Sequence, residues 1–267
     1  MDTNYYLGAL QGNTALAETE TITPMLYKVS DKDGSALWIL AASQYGDNRT
    51  ANLAQPIYDA LTQSTVVLTD FSQNAQYNTT TSNAIDWDTV DPQLKTATEY
   101  LLTVSGSLKD NSLDLTPACW IGPVTDHLVQ QQYRLSKKLN LYNCILSYAA
   151  PTQKKVEALL PDCPAVHDQS PLSTEEQLKI WSSLLEQATL AAEEQYHKYE
   201  ALISGDASVL TPDQVYAETC TDLAEALKKY IGTEDTAFAV IDAEYLFTDY
   251  GVLSCLQSEG FNVTQVQ

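Results

Sequence analysis

Histidine and cysteine, the residues that most often bind transition metals, are scarce in this sequence. The 267 residues include 3 histidines and 5 cysteines, and no two cysteines have a CxxC or other zinc-like spacing. His127, His167 and His197 form no HExxH pattern. The sequence therefore contains no zinc motif.

The odd number of cysteines means that at least one lies outside any disulfide within the chain. Cys119, Cys144 and Cys255 lie among apolar residues, which is typical of thiols that fill a core. Cys144 and Cys163 are the pair that could close a disulfide in an oxidising compartment. The sequence leaves this pairing open.

Positive charge is also scarce. The chain has 14 basic residues against 35 acidic ones, which gives a formal net charge of −21. A field of that sign repels phosphate backbones and anionic membrane surfaces, so it argues against nucleic-acid binding. Long apolar runs are lacking too, because none approaches the ~20 residues that a membrane-spanning helix needs.

The first 22 residues have neither a basic segment nor a long apolar core, so they do not resemble a signal peptide. Their mixture of Thr, Asn, Gly and Glu predicts a flexible leader, followed by one folded domain at 23–267. Such leaders often join a removed export signal to a domain. We therefore expect an extracytoplasmic protein, either secreted or anchored as a lipoprotein.

The hydrophobic pattern predicts an α/β fold. We expect a single domain with a central β-sheet flanked by helices and a large helical middle insert at about 90–235. A hairpin with its turn at Asp33-Gly34 and two apolar strands, 64–71 and 236–242, build the sheet. The segment 141–146, LYNCIL, is predicted as a further strand.

Two sequence signals mark the starts of helices in the middle region. Asp91-Pro92 combines a capping residue with a proline at the first helical position. Ser173 and Glu176 form a capping box, which predicts the start of the longest helix.

Segments at both ends of the folded region resemble the TraB/GumN family, which includes the Tiki-type metalloproteases. The segment PMLYKVSDKDGSALWILAASQYG is similar to the family's Pro-x-Leu-hydrophobic-Lys-Val hairpin and the strand after it. The segment AFAVIDAEYLFTDYGVLSCLQSEGFNVTQV is similar to the family's last strand, short helix and final strand. The resemblance covers about residues 24–267 and implies the fold of a metal-dependent hydrolase.

The histidines that this resemblance would imply are not present. In the first motif, Gly-x-x-His-x-Gly, the first glycine falls on Ala41 and the histidine on Gln44, and Gly46 is retained. In the second motif, Gly-x-x-His, the two positions are Asp242 and Tyr245.

Three further family positions are altered or shifted. The glutamate that ends the next strand falls on Thr69, one residue before Asp70. An arginine of the family falls on Tyr216, and an aspartate early in the middle region aligns with Asp126.

The leading hypothesis is therefore a pseudoenzyme without a cofactor or metal. Glutamine is neutral and a tyrosine phenol has a pKa of about 10, so these substitutions remove most of the ligands that a divalent metal needs. We expect a binding or scaffold domain at the cell envelope. Sixteen tyrosines against four phenylalanines favour a protein or peptide partner. The identity of that partner and the oligomeric state stay open.

Two alternatives remain. Asp70, Asp242 and Glu244 lie near strand ends that the fold brings together, and three carboxylates could bind Ca²⁺, Mg²⁺ or Mn²⁺ or divide acid and base roles. This alternative is a metal-dependent hydrolase or peptidase with a rebuilt carboxylate site. A hydrolase that uses Ser43 or Cys119 has less support, because neither lies in an elbow motif.

Overall fold

The structure is a computed structural model, and its chain divides into two compact units. A sheet unit contains the described residues 21–71, 137–161, 197–210, 216–247 and 249–266. A helical unit contains the described residues 85–106, 113, 116–136 and 173–196.

One mixed sheet organises the sheet unit. Among the described residues it has six strands, in the spatial order β4-β3-β5-β2-β1-β6. The neighbours from β4 to β2 are parallel, whereas β1 is antiparallel to both β2 and β6. The strands are β1 Leu26–Ser30, β2 Ala36–Ala42, β3 Val66–Phe71, β4 Lys155–Leu160, β5 Ala237–Asp242 and β6 Asn262–Val266.

The three strands β2, β3 and β5 are the most apolar, and nearly all of their residues are buried. Near-continuous apolar runs are typical of parallel strands that are covered on both faces. Because these strands and β4 are parallel, their carboxyl ends lie at one edge of the sheet, which we call the carboxyl edge. Ligand sites of open α/β sheets lie at this edge.

Eight α-helices lie in the described residues. They are α1 Gln55–Gln63, α2 Pro92–Val104, α3 Ala118–Tyr133, α4 Leu141–Ala149, α5 Thr174–Ser204, α6 Ala217–Lys228, α7 Ala243–Leu246 and α8 Val252–Ser258. In the sheet unit, α4 packs on β3, β4 and β5, and α6 packs on β4 and α8. The boundary between the units falls within α5, after Tyr196.

The helical unit has its own apolar core. Ile85, Leu102, Trp120 and Leu184 are buried together at its centre. A hydrogen bond joins two helices of this unit, in which the indole N–H of Trp181 on α5 donates to the hydroxyl of Thr98 on α2 at 2.7 Å.

The predicted α/β class is confirmed, and so are several of its details. Gly34 closes the β1–β2 turn with a φ of +88°, a value that favours glycine. Ser173 and Glu176 form the predicted capping box, in which the amide of Ser173 donates to the Glu176 carboxylate at 2.8 Å. None of the described helices has the length and apolar character to cross a membrane.

The prediction of a strand at 141–146 is wrong, because this segment opens α4. Asn140 caps the helix by accepting the amide hydrogen of Asn143 at 2.9 Å. The buried residues then follow a helical spacing, at Leu141, Cys144, Ile145 and Ala149. A short apolar run of this kind fits a strand or a helix, and the cap decides in favour of the helix.

The middle region is mainly helical, as predicted, but it also contains β4, which the sequence analysis did not identify. Ile22, which was placed in the leader, is 4% exposed and pairs with Leu53 through a β-bridge. The folded chain thus includes this residue. Thr21 is exposed, and residues 1–20 of the predicted leader lie outside the described residues.

Candidate functional site at the carboxyl edge

Asp70 and Asp242 meet at the carboxyl edge of the sheet. Asp70 lies near the end of β3, Asp242 ends β5, and these two strands are parallel neighbours. The backbone N–H of Asp242 donates to Oδ2 of Asp70 at 3.0 Å. The structure therefore brings together Asp70 and Asp242, two of the three carboxylate residues of the predicted trio.

The carboxylate of Asp70 is surrounded by donors. The residue is only 6% exposed. Its Oδ2 also accepts the phenol hydrogen of Tyr142, which α4 carries, and its Oδ1 accepts the N–H of Phe71 at 2.8 Å. Burial raises the pKa of Asp70 above its ordinary value, while these hydrogen bonds oppose that rise.

Tyr142 shares this environment. Burial raises the pKa of its phenol well above the ordinary value, and the negative charges of Asp70 and Asp242 raise it further. The phenol therefore stays protonated and acts as a donor. Its role was not predicted from the sequence, because Tyr142 lies in the segment that was predicted as a strand.

Asp242 has a different role, because it caps α7. Its Oδ1 accepts the N–H of Glu244 at 3.0 Å. Burial raises the pKa of Asp242 well above the ordinary value, and repulsion from the Glu244 and Asp70 carboxylates adds to the rise. Lys198 on α5 partly opposes it.

Glu244 is the third member of the predicted carboxylate trio, and it is paired with a cation. Its Oε1 lies 2.9 Å from Nζ of Lys198, and both side chains are partly buried. Because Glu244 already has a positively charged partner, a metal ion would have to displace Lys198 to bind this carboxylate.

The end of β2 and the loop after it carry the residues that were aligned with the first family motif. Ala41 is fully buried within β2, whereas Gln44 is exposed. The carbonyl of Gln44 accepts a hydrogen bond from the Asn140 side chain at 3.2 Å. Gly46 has a packing role, because a Cβ atom there would lie 2.2 Å from the carbonyl oxygen of Leu139. Only glycine permits this approach of two backbones.

An ion-pair network anchors the same loop, and the sequence analysis did not identify it. Arg49 bonds to Asp47 and, from the other side, to Glu200 on α5. The hydroxyl of the fully buried Tyr199 donates to Oδ1 of Asp47 at 2.9 Å. The bond to Glu200 is the largest cause that raises the pKa of Arg49, so the guanidinium stays charged. The network fixes the backbone that follows Gly46.

Aromatic rings pack around Tyr245, which the predicted family alignment places at the histidine of the second motif. Tyr245 on α7 is 8% exposed, and its ring makes edge contacts with Phe71 at 5.5 Å and with Tyr216 at 5.3 Å between centroids. Tyr216 and Tyr245, two positions of that predicted alignment, are thus in direct contact. Thr69 is buried nearby in β3 and donates to the carbonyl of Phe71 at 3.0 Å.

The residues of this edge do not fit the divalent metal that the family resemblance implies. In the part of the chain that the structure describes, no three His, Cys, Asp or Glu residues group as potential metal ligands. Asp70 is committed to three donors, and Glu244 is committed to Lys198. These side chains instead form hydrogen bonds and an ion pair that hold the fold together at this edge.

The other candidate residues belong to other elements or lie outside the described residues. Asp126 and His127 lie on α3 in the helical unit, and His197 is an exposed residue of α5. His167 and Cys163 lie outside the described residues, so the proposed disulfide is not described. The thiol of Cys144 donates to the carbonyl of Thr50 at 3.0 Å.

The two proposed nucleophiles, Ser43 and Cys119, contact hydroxyl or backbone groups. The hydroxyl of Ser43 is buried and accepts the N–H of Tyr45 at 3.2 Å. Cys119 lies 3.4 Å from the hydroxyl of Thr116. Within the described residues, neither Ser43 nor Cys119 forms a hydrogen bond with a histidine.

Comparisons with known proteins add no identity. No protein-family model matches the chain, and neither a curated protein nor a solved structure shows significant similarity to it. The resemblance to the TraB/GumN family therefore stays a prediction that rests on the sequence motifs.

Proposed function

We propose that this chain is a catalytically inactive protein of the TraB/GumN type, which acts as a binding or scaffold domain at the cell envelope. The main support is the closed hydrogen-bond arrangement at the carboxyl edge. Asp70, the most buried carboxylate there, accepts hydrogen bonds from Tyr142, Phe71 and Asp242. A carboxylate held in this way stabilises the fold, and a metal or substrate would have to displace its donors.

The two positions at which the family has histidine support the same proposal. Gln44 is an exposed neutral amide, and Tyr245 is a phenol that packs against two aromatic rings. Neither group is a good ligand for zinc or manganese at neutral pH.

Surface composition supports a binding role. Tyr100, Tyr148 and Tyr250 are 70%, 49% and 46% exposed, and tyrosine is enriched at protein interfaces. The net charge of −21 favours a partner protein or peptide with a basic surface.

The alternative of a rebuilt metal-dependent hydrolase has less support. It requires Asp70, Asp242 and Glu244 to face one ion, yet Glu244 is paired with Lys198. The described residues contain no group of three such ligands.

Isothermal titration calorimetry with Mn²⁺, Zn²⁺ and Ca²⁺ tests this choice. We expect the wild-type chain to show no stoichiometric site. The double variant Asp70→Asn/Asp242→Asn is compared with Glu218→Gln/Asp222→Asn, which removes the same charge from exposed positions of α6. A site with one ion per chain that is lost in the first double variant and retained in the second would reject the pseudoenzyme in favour of the rebuilt site.

A further inference from the structure

A polar cavity lies at the opposite edge of the sheet from Asp70 and Asp242. Its volume is about 310 Å³, which is at the lower end of the ~300–1,000 Å³ range of small-molecule sites. It forms where the amino ends of β2 and β5 meet the β1–β2 turn and the end of α1. Its lining includes Lys28, Ser35, Trp38, Gln63, Asp235 and Thr236.

Trp38 supplies the aromatic surface of this cavity. It pairs with Lys28 across β1 and β2, so both side chains project from the same face of the sheet. Nζ of Lys28 lies 5.6 Å from the centre of the indole ring. Trp38 is partly exposed, and among the described residues its indole N–H donates to no acceptor. The cavity therefore offers an aromatic ring and an indole donor that is available to a ligand.

Several polar side chains in the lining are also uncommitted. Within the described chain, the Ser35 hydroxyl, the Gln63 amide and the Thr236 hydroxyl make no side-chain hydrogen bond. Asp235 accepts one hydrogen bond from Thr65 at 3.0 Å through Oδ1. Donors and acceptors thus line the same cavity as the ring, as a ligand rich in hydroxyl groups requires.

The charges of the lining balance. Lys28 contributes one positive charge and Asp235 one negative charge. Lys28 forms no ion pair among the described residues, and its side chain is exposed. Because the lining has no net charge, it does not favour an anion over a cation, and a neutral ligand is compatible with it.

Gly34, in the hairpin turn, also lines the cavity. A Cβ atom at Gly34 would meet no heavy atom within 4 Å. Gly34 has a φ of +88°, so glycine is favoured here and no side chain occupies space at this part of the lining.

We infer that this cavity binds a neutral saccharide unit, whose C–H face packs on Trp38 and whose hydroxyls bond to Ser35, Gln63 and Asp235. A pyranose ring matches the site because it has an apolar face and a rim of hydroxyls. This inference goes beyond the function proposed above and concerns the other edge of the sheet. Each can therefore fail without the other.

Saturation-transfer NMR and calorimetry on the full chain test the inference. The probes are glucose, galactose, mannose, N-acetylglucosamine and the anionic sugar glucuronate. We expect at least one neutral sugar to bind, with the strongest signals from its ring C–H protons. Trp38→Ala should weaken that binding at least about tenfold through the loss of the aromatic contact. Trp38→Phe, which keeps a ring, should weaken it less.

Matched variants separate a specific site from general effects. Gln63→Ala should weaken binding, whereas Gln257→Ala, an exposed glutamine of α8, should leave it unchanged. Asp70→Asn/Asp242→Asn should also leave sugar binding unchanged.

The inference is overturned if no neutral sugar binds the wild-type chain or if both Trp38 variants bind like wild type. Binding of glucuronate alone, abolished by Lys28→Gln, would identify an anion site and equally overturn it.

Discussion

The hydrogen bond from Tyr142 to Asp70 should make a measurable contribution to stability. Tyr142→Phe removes the phenol oxygen and leaves the ring, so it creates almost no cavity. A hydrogen bond to a charged group contributes ~1.5–3 kcal/mol. The backbone N–H of Asp242 still reaches the same carboxylate oxygen, at 3.0 Å, and limits the loss. We therefore expect Tyr142→Phe to lower the free energy of unfolding by about 2 kcal/mol near pH 8.

Urea unfolding followed by far-UV circular dichroism measures this loss as a lower midpoint with an unchanged slope. Because a bond to a neutral carboxyl contributes only ~0.5–1.5 kcal/mol, the loss should shrink at acid pH, where Asp70 is protonated. Tyr100→Phe is the matched control, since Tyr100 is 70% exposed, and it should change stability by less than about 0.5 kcal/mol.

A double-mutant cycle shows whether the loss acts through Asp70. In the Asp70→Asn background, Tyr142→Phe should cost much less than it does in the wild-type chain. An equal cost in both backgrounds, or no cost at all near pH 8, would refute the reasoning that the Asp70–Tyr142 bond organises this edge.

Two further predictions concern the same edge. The pKa of Asp242 is raised in the folded state, so protonated Asp242 stabilises the fold. This stabilisation is fully present below about pH 4 and is lost as the pH rises through the folded-state pKa of Asp242. Asp242→Asn keeps a capping side chain but cannot ionise. In urea titrations, the free energy of unfolding should therefore fall less for Asp242→Asn than for wild type between about pH 5 and about pH 8. A difference in stability between the two proteins that does not change with pH would contradict this. Gly46→Ala should lower the free energy of unfolding by about 1–3 kcal/mol, because its Cβ would overlap the Leu139 carbonyl. Gly122→Ala, whose Cβ would meet nothing within 4 Å, is its control, and equal effects of the two would show that the close approach at Gly46 is unimportant.

Much of the sheet could be predicted from the sequence, because its central strands are continuous apolar runs and its turn contains Asp33-Gly34. The edge strand β4 could not be predicted in the same way. Its residues are half-buried or exposed, and it carries the ion pair between Lys155 and Glu157. A strand of that composition lacks the apolar pattern that marks the central strands.

The candidate site was predictable only in part. Strand order and parallel pairing explain why Asp70 and Asp242 meet, since both end predicted strands. Tyr142 was missed because LYNCIL was read as a strand, although Asn140 before a Leu141–Cys144–Ile145 spacing is a helix signal. The pairing of Glu244 with Lys198 depends on the course of a 31-residue helix. No local sequence pattern contains that information.

The metal content of the chain, purified without chelators, tests the pseudoenzyme proposal most directly. Elemental analysis should find Mn, Fe, Co and Zn far below one atom per chain, because the predicted family alignment places Gln44 and Tyr245 at the histidine positions and Asp70 accepts hydrogen bonds from three donors. One atom of such a metal per chain, retained through gel filtration and lost in Asp70→Asn/Asp242→Asn, would contradict the proposal.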